Sequence, residues 1–309
     1  MLLRVKRIYW RQRKRALQRM GRWPEETPVI SDPSVVQTAP LNSAATPPAR
    51  EPTRRPREPA PPKLAEATIE ELKSYILHRE KALDRDLLRY GDPAGKNVLI
   101  FGGGYGNEVL WCIRRGATSI VSIDLTPVSS EPLERAMAQE QLVHDAYEFR
   151  TENIHETALQ EMKFDLIISN GVFEHVMDLK GVLLAFRRLL KPRGRIAIFA
   201  DGLWYSSIGG HIRGEPWEHL WRAPAEIKQL HPERWEYYCN HLNRMTIVDF
   251  LEAVRSVGML VLQLNTGRDP NLTRLSEHLP AIRDQIDTVS PTDCSIVSVG
   301  CELTFPEHL

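Results

Sequence analysis

Residues 98–106 read Val-Leu-Ile-Phe-Gly-Gly-Gly-Tyr-Gly, an apolar run that ends in a loop with glycine at alternate positions. The run predicts a buried strand, and the spacing of Asn107–Arg115 predicts a helix directly after the loop. Glycine lets the backbone turn tightly and come close to a bound ligand. Because position 107 is Asn, the loop lacks the last glycine of the dinucleotide fingerprint, and its spacing suits a nucleoside without a pyrophosphate.

The next predicted strand, Ser119–Asp124, ends in an acid that lies 22 residues after Gly102. A carboxylate at this position can accept hydrogen bonds from both hydroxyls of a ribose. A glycine loop alone is not specific, but a loop between a strand and a helix, followed by this acid, indicates nucleoside binding. A structural turn followed by a solvated aspartate is the alternative interpretation.

Strand and helix patterns alternate through residues 64–309, a length that can bury one large core. The further predicted strands are Tyr147–Arg150, Phe164–Ser169, Arg195–Ala200, Met259–Leu264 and Ser295–Leu303. The further predicted helices are 69–87, Glu131–His144, Leu179–Leu190 and Thr246–Ser256, the last capped by Thr246. Because the strands are rich in Val, Ile and Leu, they predict an α/β fold with a doubly wound, mostly parallel sheet covered on both faces.

Two segments interrupt the alternation, residues 202–245 after the fifth strand and residues 265–293 between the last two strands. If the last strand is antiparallel, both insertions leave the carboxyl edge of the sheet, where open α/β sheets bind ligands. The first insertion holds four of the ten histidines and seven Trp or Tyr residues. These aromatic side chains predict either a wall for an apolar-faced or sugar ligand or a small core of the insertion itself.

The 40 basic and 40 acidic residues of the 309-residue chain are unevenly distributed. Residues 1–23 hold nine Lys or Arg and no acid, and residues 24–63 hold eleven of the 22 prolines, which leaves residues 64–309 with a net charge of −9. This pattern predicts a basic amphipathic arm, a Pro-rich disordered linker and one acidic domain. The arm has three possible roles: docking on an anionic membrane surface, contact with a partner or nucleic acid, and a solvated extension.

The composition also limits the function classes. An acidic domain argues against a nucleic-acid substrate, since such binders place basic surface around the site. The sequence contains no run of 18 apolar residues, so it predicts no transmembrane helix. The apolar stretch and cleavage site of a secretory signal are also missing. The four cysteines form no C-x-x-C pair, which excludes a disulfide framework and a cysteine zinc site. We therefore expect a cytoplasmic protein, which the arm could hold at the inner membrane surface, and its oligomeric state stays open.

Three motifs in order resemble those of class I S-adenosylmethionine-dependent methyltransferases of the type 11-like group. They are the loop at 98–106, the strand and turn Phe164–His175, and the turn Leu189–Arg195. The resemblance covers roughly residues 95–201. It implies a Rossmann-like sheet of seven strands with the last one antiparallel, S-adenosylmethionine as the methyl donor, and methyl transfer as the activity.

The resemblance also implies roles for individual residues. The candidate cofactor-binding residues are Phe101, Gly102, Gly104 and Gly106 for the methionine and ribose, Asp124 for the ribose hydroxyls, Leu125, Asn153 and Ile154 for the adenine, and Asn170 and Val172 beside the donor. Relatives often carry an acid two residues before the first glycine, near the amino group of the cofactor. Here that position is Ile100, so this anchor is missing.

Transfer to an oxygen usually needs a base to remove the hydroxyl proton. The candidate bases are His211, then His219, either of which Glu215 could orient, and His175 after the fourth strand. In some ubiquinone-pathway O-methyltransferases an acid–acid–His cluster near that last position binds a metal. Because Gly171 replaces the first acid here, we expect no metal.

The sequence therefore predicts S-adenosylmethionine-dependent methyl transfer to a small-molecule or glycan-type acceptor, at oxygen. Two alternatives stay open. One is a methyltransferase of RNA, DNA or protein that grips its substrate with the basic arm. The other is a catalytically inactive protein that binds S-adenosylmethionine, an interpretation suggested by Ile100.

Overall fold

The computed structural model describes residues 79–104, 106–125, 137–138 and 147–309. The predicted arm, the predicted linker and most of the predicted helix Glu131–His144 lie outside these residues. Of the predicted helix over 69–87, residues 79–87 are described, and 79–86 are helical. In the described part of the chain, no helix combines the length and apolar character that a bilayer span requires.

Seven strands form one sheet in the order β3-β2-β1-β4-β5-β7-β6. The strands are β1 (Asn97–Phe101), β2 (Ser119–Asp124), β3 (Tyr147–Thr151), β4 (Phe164–Asn170), β5 (Leu190–Asp201), β6 (Leu260–Arg268) and β7 (Ile296–Thr304). Neighbouring strands among β1 to β5 are parallel, whereas β7 is antiparallel to both β5 and β6. The predicted seven-stranded, mostly parallel sheet with an antiparallel last strand is confirmed.

Apolar layers cover both faces of the sheet. The α-helices whose bounds the structure gives are α1 (Asn107–Arg114), α2 (Ile154–Thr157), α3 (Leu179–Leu189), α4 (Glu218–Trp221), α5 (Pro224–Leu230), α6 (Trp235–Asn240), α7 (Ile247–Ser256), α8 (Leu275–Gln285) and α9 (Pro291–Ser295). Leu99 and Ile167 belong to the core that includes α3 and α7. Their neighbours Ile100 and Ile168 belong to the core that includes α1. Because strand side chains alternate in direction, this division shows helices on both faces, as predicted.

The cap predicted for α7 is present. The Oγ1 of Thr246 accepts a hydrogen bond from the Asp249 amide at 3.1 Å, and the Asp249 carboxylate accepts one from the Thr246 amide at 2.9 Å. This reciprocal arrangement satisfies two of the amides that a helix leaves without partners at its start.

Two strands extend four or more residues beyond their predicted bounds. Strand β5 begins at Leu190, before the predicted Arg195, because Leu190 already pairs with Phe164 ahead of a β-bulge. Strand β6 continues past the predicted end at Leu264 to Arg268 by pairing with β7. Its last residues are polar and gave no strand pattern, but an edge strand can present polar side chains to water. The second insertion is therefore 269–295 instead of 265–293.

The two insertions pack together above the carboxyl edge of the sheet, and we call residues 202–245 and 269–295 the lid. Trp204, Trp217 and Tyr238 from the first segment share an apolar core with Leu275 and Ile282 from the second. Most aromatic residues of the first insertion therefore pack inside the lid. Of the two interpretations of these aromatics, the structure favours a core, shared between the two segments.

The start of the second lid segment is tied to the first by a buried carboxylate. Asp269 accepts hydrogen bonds from the backbone amides of Ser207 at 2.6 Å and Asn271 at 2.8 Å. Asn271 in turn donates from its side chain to the Ser207 hydroxyl at 2.9 Å. Because a buried carboxylate needs such partners, these contacts hold the two segments in one arrangement.

Candidate active site

The glycine loop after β1 is bound to the end of β2 through its backbone. The amides of Gly102 and Gly103 both donate to the carbonyl oxygen of Ile123, at 2.9 and 3.2 Å. The backbone φ angles of Gly102, Gly104 and Gly106 are +79°, +45° and +84°, in the region that favours glycine. These hydrogen bonds therefore hold the first two glycines of the loop against the end of β2, ahead of α1.

The glycines of this loop serve different purposes. A Cβ atom on Gly102 would clash with both methyl groups of Val172, and one on Gly103 would clash with the Ser122 hydroxyl. A Cβ on Gly104 would meet no described atom within 4 Å. Gly102 and Gly103 are therefore needed for packing, whereas Gly104 leaves open space above the loop. The alternating sequence pattern did not single out Gly103.

Asp124 and Leu125 lie beside this open space. The amide of Gly104 donates to the Oδ2 of Asp124 at 3.1 Å, which holds the carboxylate against the loop. Leu125, the next residue, is 71% exposed and so presents an apolar surface. A carboxylate for ribose hydroxyls and an apolar surface for a flat base thus flank space for a ligand. The residues present fit an adenosyl group.

The predicted adenine contacts also have structural roles. The Oδ1 of Asn153 accepts a hydrogen bond from the amide of His155 at 3.1 Å and so caps α2. A carbonyl oxygen can accept a second hydrogen bond, so this cap is compatible with the predicted adenine contact. Ile154 is buried in the core beneath Asn153.

The end of β4 approaches the first turn of α1. The Nδ2 of Asn170 donates to the Oε1 of Glu108 at 2.9 Å, and Glu108 is buried. Val172, two residues later, covers Gly102. Phe101 makes edge-to-face contacts with Phe186 at 5.4 Å between ring centroids, so its ring faces the core and only its backbone can reach the cofactor.

Two of the three candidate bases lie in one cluster near the ends of β4 and β5. The ring centroids of His175 and His211 are 5.2 Å apart, and the ring of Tyr237 lies 5.5 Å from His175 and 6.0 Å from His211. The Tyr237 hydroxyl is 3.0 Å from the Nε2 of His175. The Nε2 of His211 is 3.1 Å from the carbonyl oxygen of Gly202, which follows β5. We call His175, His211 and Tyr237 the His–Tyr cluster.

The hydrogen bonds of this cluster define where its protons lie. The Nδ1 of His175 is 2.7 Å from the carbonyl oxygen of His241, which can only accept, so Nδ1 carries the proton. The Nε2 of His175 therefore accepts the hydrogen bond from the Tyr237 hydroxyl. Burial lowers the pKa of His175 to about 4 and also lowers the pKa of His211, so both rings are neutral at pH 7.

A buried acid adjoins the His–Tyr cluster. The Oε1 of Glu174 lies 3.8 Å from the Nε2 of His175, and its Oε2 has no hydrogen-bond partner among the described residues. Burial raises the pKa of Glu174 to about 8, and the nearby charge of Asp201 adds to this effect. Burial also raises the pKa of Asp201. Glu174 is therefore a neutral acid at pH 7 with unused hydrogen-bonding capacity.

Residues 99–198 match a family described as a methyltransferase domain. The chain carries a class I S-adenosylmethionine-dependent methyltransferase domain. S-adenosylmethionine is its methyl donor, and the protein is an enzyme of methyl transfer. The glycine loop and Asp124 lie within the matched range.

Individual proteins are similar over most of the chain. A ubiquinone biosynthesis O-methyltransferase from Bartonella bacilliformis is 26% identical over 184 residues, which are 60% of this chain and 71% of that protein. The solved structure of a geranyl diphosphate C-methyltransferase from Streptomyces coelicolor A3(2) is 16% identical, with a TM-score of 0.49 over 77% of this chain and 85% of that one. A cyclopropane synthase from Mycobacterium tuberculosis is 16% identical, with a TM-score of 0.48 over 77% and 86%.

The third candidate base of the methyltransferase lies inside the lid core. His219 is 4% exposed, and its Nε2 is 2.6 Å from the carbonyl oxygen of Trp204. Burial lowers the pKa of His219 to about 3. Glu215, expected to orient a histidine, has its carboxylate 3.6 Å from Arg274 of the second lid segment. These positions indicate structural roles for both residues.

Sequence reasoning missed three chemically relevant residues of the methyltransferase. Tyr237 stood among seven aromatic residues of the first insertion, and nothing in the pattern distinguished it. Glu174 directly precedes His175, but it was considered only as part of a metal cluster. Glu108 had no recognised role. In the described part of the chain, no group of three or more His, Cys, Asp or Glu side chains could hold a metal ion.

Proposed function

We propose that this methyltransferase transfers a methyl group to a hydroxyl group of a small-molecule or glycan-type acceptor. S-adenosylmethionine supplies an activated methyl group, and its transfer to a hydroxyl oxygen releases one proton. The observation that carries the proposal is the hydrogen bond of 3.0 Å between the Tyr237 hydroxyl and the neutral His175 ring at the carboxyl edge of the sheet. An oxygen nucleophile needs such a proton acceptor, whereas a neutral amine does not.

Tyr237 and His175 provide a path for this proton. The Tyr237 hydroxyl donates to His175 Nε2, which leaves the lone pairs of its oxygen available to an acceptor hydroxyl. The proton of the acceptor passes to Tyr237 as the proton of Tyr237 passes to His175. The carbonyl oxygen of His241 then accepts from the Nδ1 of the resulting imidazolium. His211 provides a second neutral imidazole beside Tyr237 and remains the alternative base.

Glu174 makes this path dependent on pH. Its pKa of about 8 means that the carboxyl group ionises as the pH rises through that value. The negative charge then lies 3.8 Å from His175 Nε2 and stabilises the imidazolium. The group is neutral below pH 8 and charged above it, so turnover should increase between about pH 7 and 9. In Glu174→Gln this increase should disappear.

Three observations support a small acceptor. The two packed segments of the lid leave the carboxyl edge of the sheet, an arrangement that suits a small molecule bound beneath them. The net charge of residues 64–309 is −9, which disfavours nucleic acid. The name of the Bartonella relative describes O-methylation in the biosynthesis of a small molecule.

The test uses the full chain with S-adenosylmethionine that carries a tritium-labelled methyl group. The acceptor panel contains catechols, phenols, hydroxy acids and sugars, the matching amines, and total RNA and protein. We expect label in a hydroxyl compound, and mass spectrometry and NMR should locate the new methyl group on oxygen. Transfer to amines, RNA or protein would contradict the proposal, and so would the absence of any product while the cofactor binds.

Tyr237→Phe tests the proton path. With an identified hydroxyl acceptor, this variant should lose at least about 100-fold in kcat because it removes the relay oxygen, while S-adenosylmethionine affinity stays unchanged. The matched control is Tyr238→Phe, since the Tyr238 hydroxyl donates to the carbonyl oxygen of His219 at 3.2 Å and not to His175. Equal effects of both substitutions would assign Tyr237 a structural role.

A further inference from the structure

The donor-binding part of the domain has an unexplained feature. The position that often carries an acid for the amino group of the cofactor is Ile100, and Ile100 is buried in the core beside α1. S-adenosylmethionine ends in an ammonium group and a carboxylate, which both need partners when they leave water. Residues elsewhere must therefore receive this end of the donor.

Glu108 and Arg79 carry the charges that an amino-acid end requires. Glu108 lies in the first turn of α1, two residues after Gly106 of the glycine loop. Its Oε1 accepts from Asn170 Nδ2 at 2.9 Å and lies 3.9 Å from Arg79 Nη2. The carboxylate thus lies between the glycine loop and the end of β4, two segments expected to line the methionine part of the donor.

The charges of both side chains are only partly compensated. Glu108 is 5% exposed, and burial raises its pKa. The hydrogen bonds from Asn170 and from its own backbone, with a distant guanidinium, therefore compensate the charge only in part. The Nε of Arg79 is buried without a hydrogen-bond partner among the described residues. A buried carboxylate that gained an ammonium partner and a guanidinium that gained a carboxylate would both be stabilised.

We propose that Glu108 binds the α-ammonium group of S-adenosylmethionine and Arg79 its α-carboxylate, and that this pair replaces the acid missing at position 100. Asn170 positions Glu108 for this contact. The proposal concerns the donor alone, so it does not depend on the nature of the acceptor.

Ligands with and without the amino-acid end distinguish binding of that end from a general effect on the site. 5′-Methylthioadenosine contains the adenosine and sulfur of S-adenosylmethionine but lacks the amino-acid end. Calorimetry should show that the parent protein binds S-adenosylmethionine and S-adenosylhomocysteine at least about tenfold more tightly than 5′-methylthioadenosine. Glu108→Gln and Arg79→Gln should each remove most of this difference by weakening the two amino-acid ligands about tenfold or more, the effect of losing one charged hydrogen bond.

A control variant and the affinity for 5′-methylthioadenosine distinguish a donor contact from a structural role. Glu80→Gln removes a carboxylate that pairs with Arg114 on α1 and should leave all three affinities unchanged. Equal loss of affinity for 5′-methylthioadenosine in the Glu108 and Arg79 variants would overturn the proposal, because it would indicate a structural role. If Glu108→Gln does not fold, the ligand affinities of Arg79→Gln, which changes a partly exposed side chain, alone test the proposal. If the parent protein bound none of the ligands, the donor assignment itself would fail, which is a different result.

Discussion

Gly102 and Gly104 occupy the same loop but face different surroundings. Alanine at 102 would place its Cβ against the methyl groups of Val172 at a φ of +79°. Overpacking and a positive φ together cost about 3 kcal/mol of unfolding free energy. Alanine at 104 would cost only about 1 kcal/mol because it meets no neighbour within 4 Å. Its Cβ would instead occupy the space that we assign to the cofactor.

We therefore predict opposite effects for Gly102→Ala and Gly104→Ala. Gly102→Ala should lower the unfolding free energy measured by urea titration more than Gly104→Ala does. Gly104→Ala should weaken S-adenosylmethionine binding in calorimetry by more than tenfold, which corresponds to a loss of about 1.4 kcal/mol of binding free energy. Val172→Ala combined with Gly102→Ala serves as the control, because it removes the clashing methyl groups and should recover part of the stability. Equal stability loss at both glycines would contradict this division of roles.

At the scale of single residues, sequence reasoning identified residues whose role depends on local pattern. Asp124 and the glycines follow from spacing along one strand–loop–helix unit. His175 and His211 were recognised as candidate bases, but their contact joins positions 36 residues apart, and no local pattern encodes it. The hydrogen bond between Tyr237 and His175 depends in the same way on how the lid packs against β4.

Strand and helix order was predictable because periodicity reports which side chains are buried. The insertions could be located as interruptions of that order, and the antiparallel β7 indicated their common edge. Their internal packing could not be predicted, since Trp217 and Ile282 meet only after both segments have folded. The end of β6 at Arg268 was missed because pairing with β7, and not apolar pattern, extends this edge strand.

Asp269 joins the two segments of the lid through hydrogen bonds, and we expect the folded lid to depend on it. Replacement by Ala would leave the amides of Ser207 and Asn271 without their acceptors, at a cost of about 1–3 kcal/mol each. In Asp269→Ala, hydrogen exchange should therefore accelerate about tenfold or more within the lid, while the amides of β1 and β4 keep their protection. Asp287→Ala, at an exposed lid position, should change neither. Uniform acceleration through the sheet would contradict a local role for Asp269.

Buried ionisable groups make the stability of the whole molecule depend on pH. Burial lowers the pKa of buried histidines and raises the pKa of a buried acid. Burial lowers the pKa of His175 to about 4 and that of His219 to about 3. Their contribution to stability is therefore complete above pH 6.5 and is lost as the pH falls towards these values. Burial raises the pKa of Glu174 to about 8, so its contribution is complete below pH 4.5 and is lost as the pH rises through 8.

His219 should contribute, together with His175, to the loss of stability in mild acid, because its ring must be charged inside the lid core. In His219→Gln, an amide can still donate to the Trp204 carbonyl oxygen but cannot titrate. Between pH 6.5 and 5, the slope of the unfolding free energy against pH should fall by about 1.4 kcal/mol per unit in this variant. Urea titrations at four pH values measure the slope, and His155→Gln, at an exposed position, is the matched control. An unchanged slope in His219→Gln would show that this ring is not an acid-sensitive group. A change in both variants would show that the number of histidines alone sets the slope.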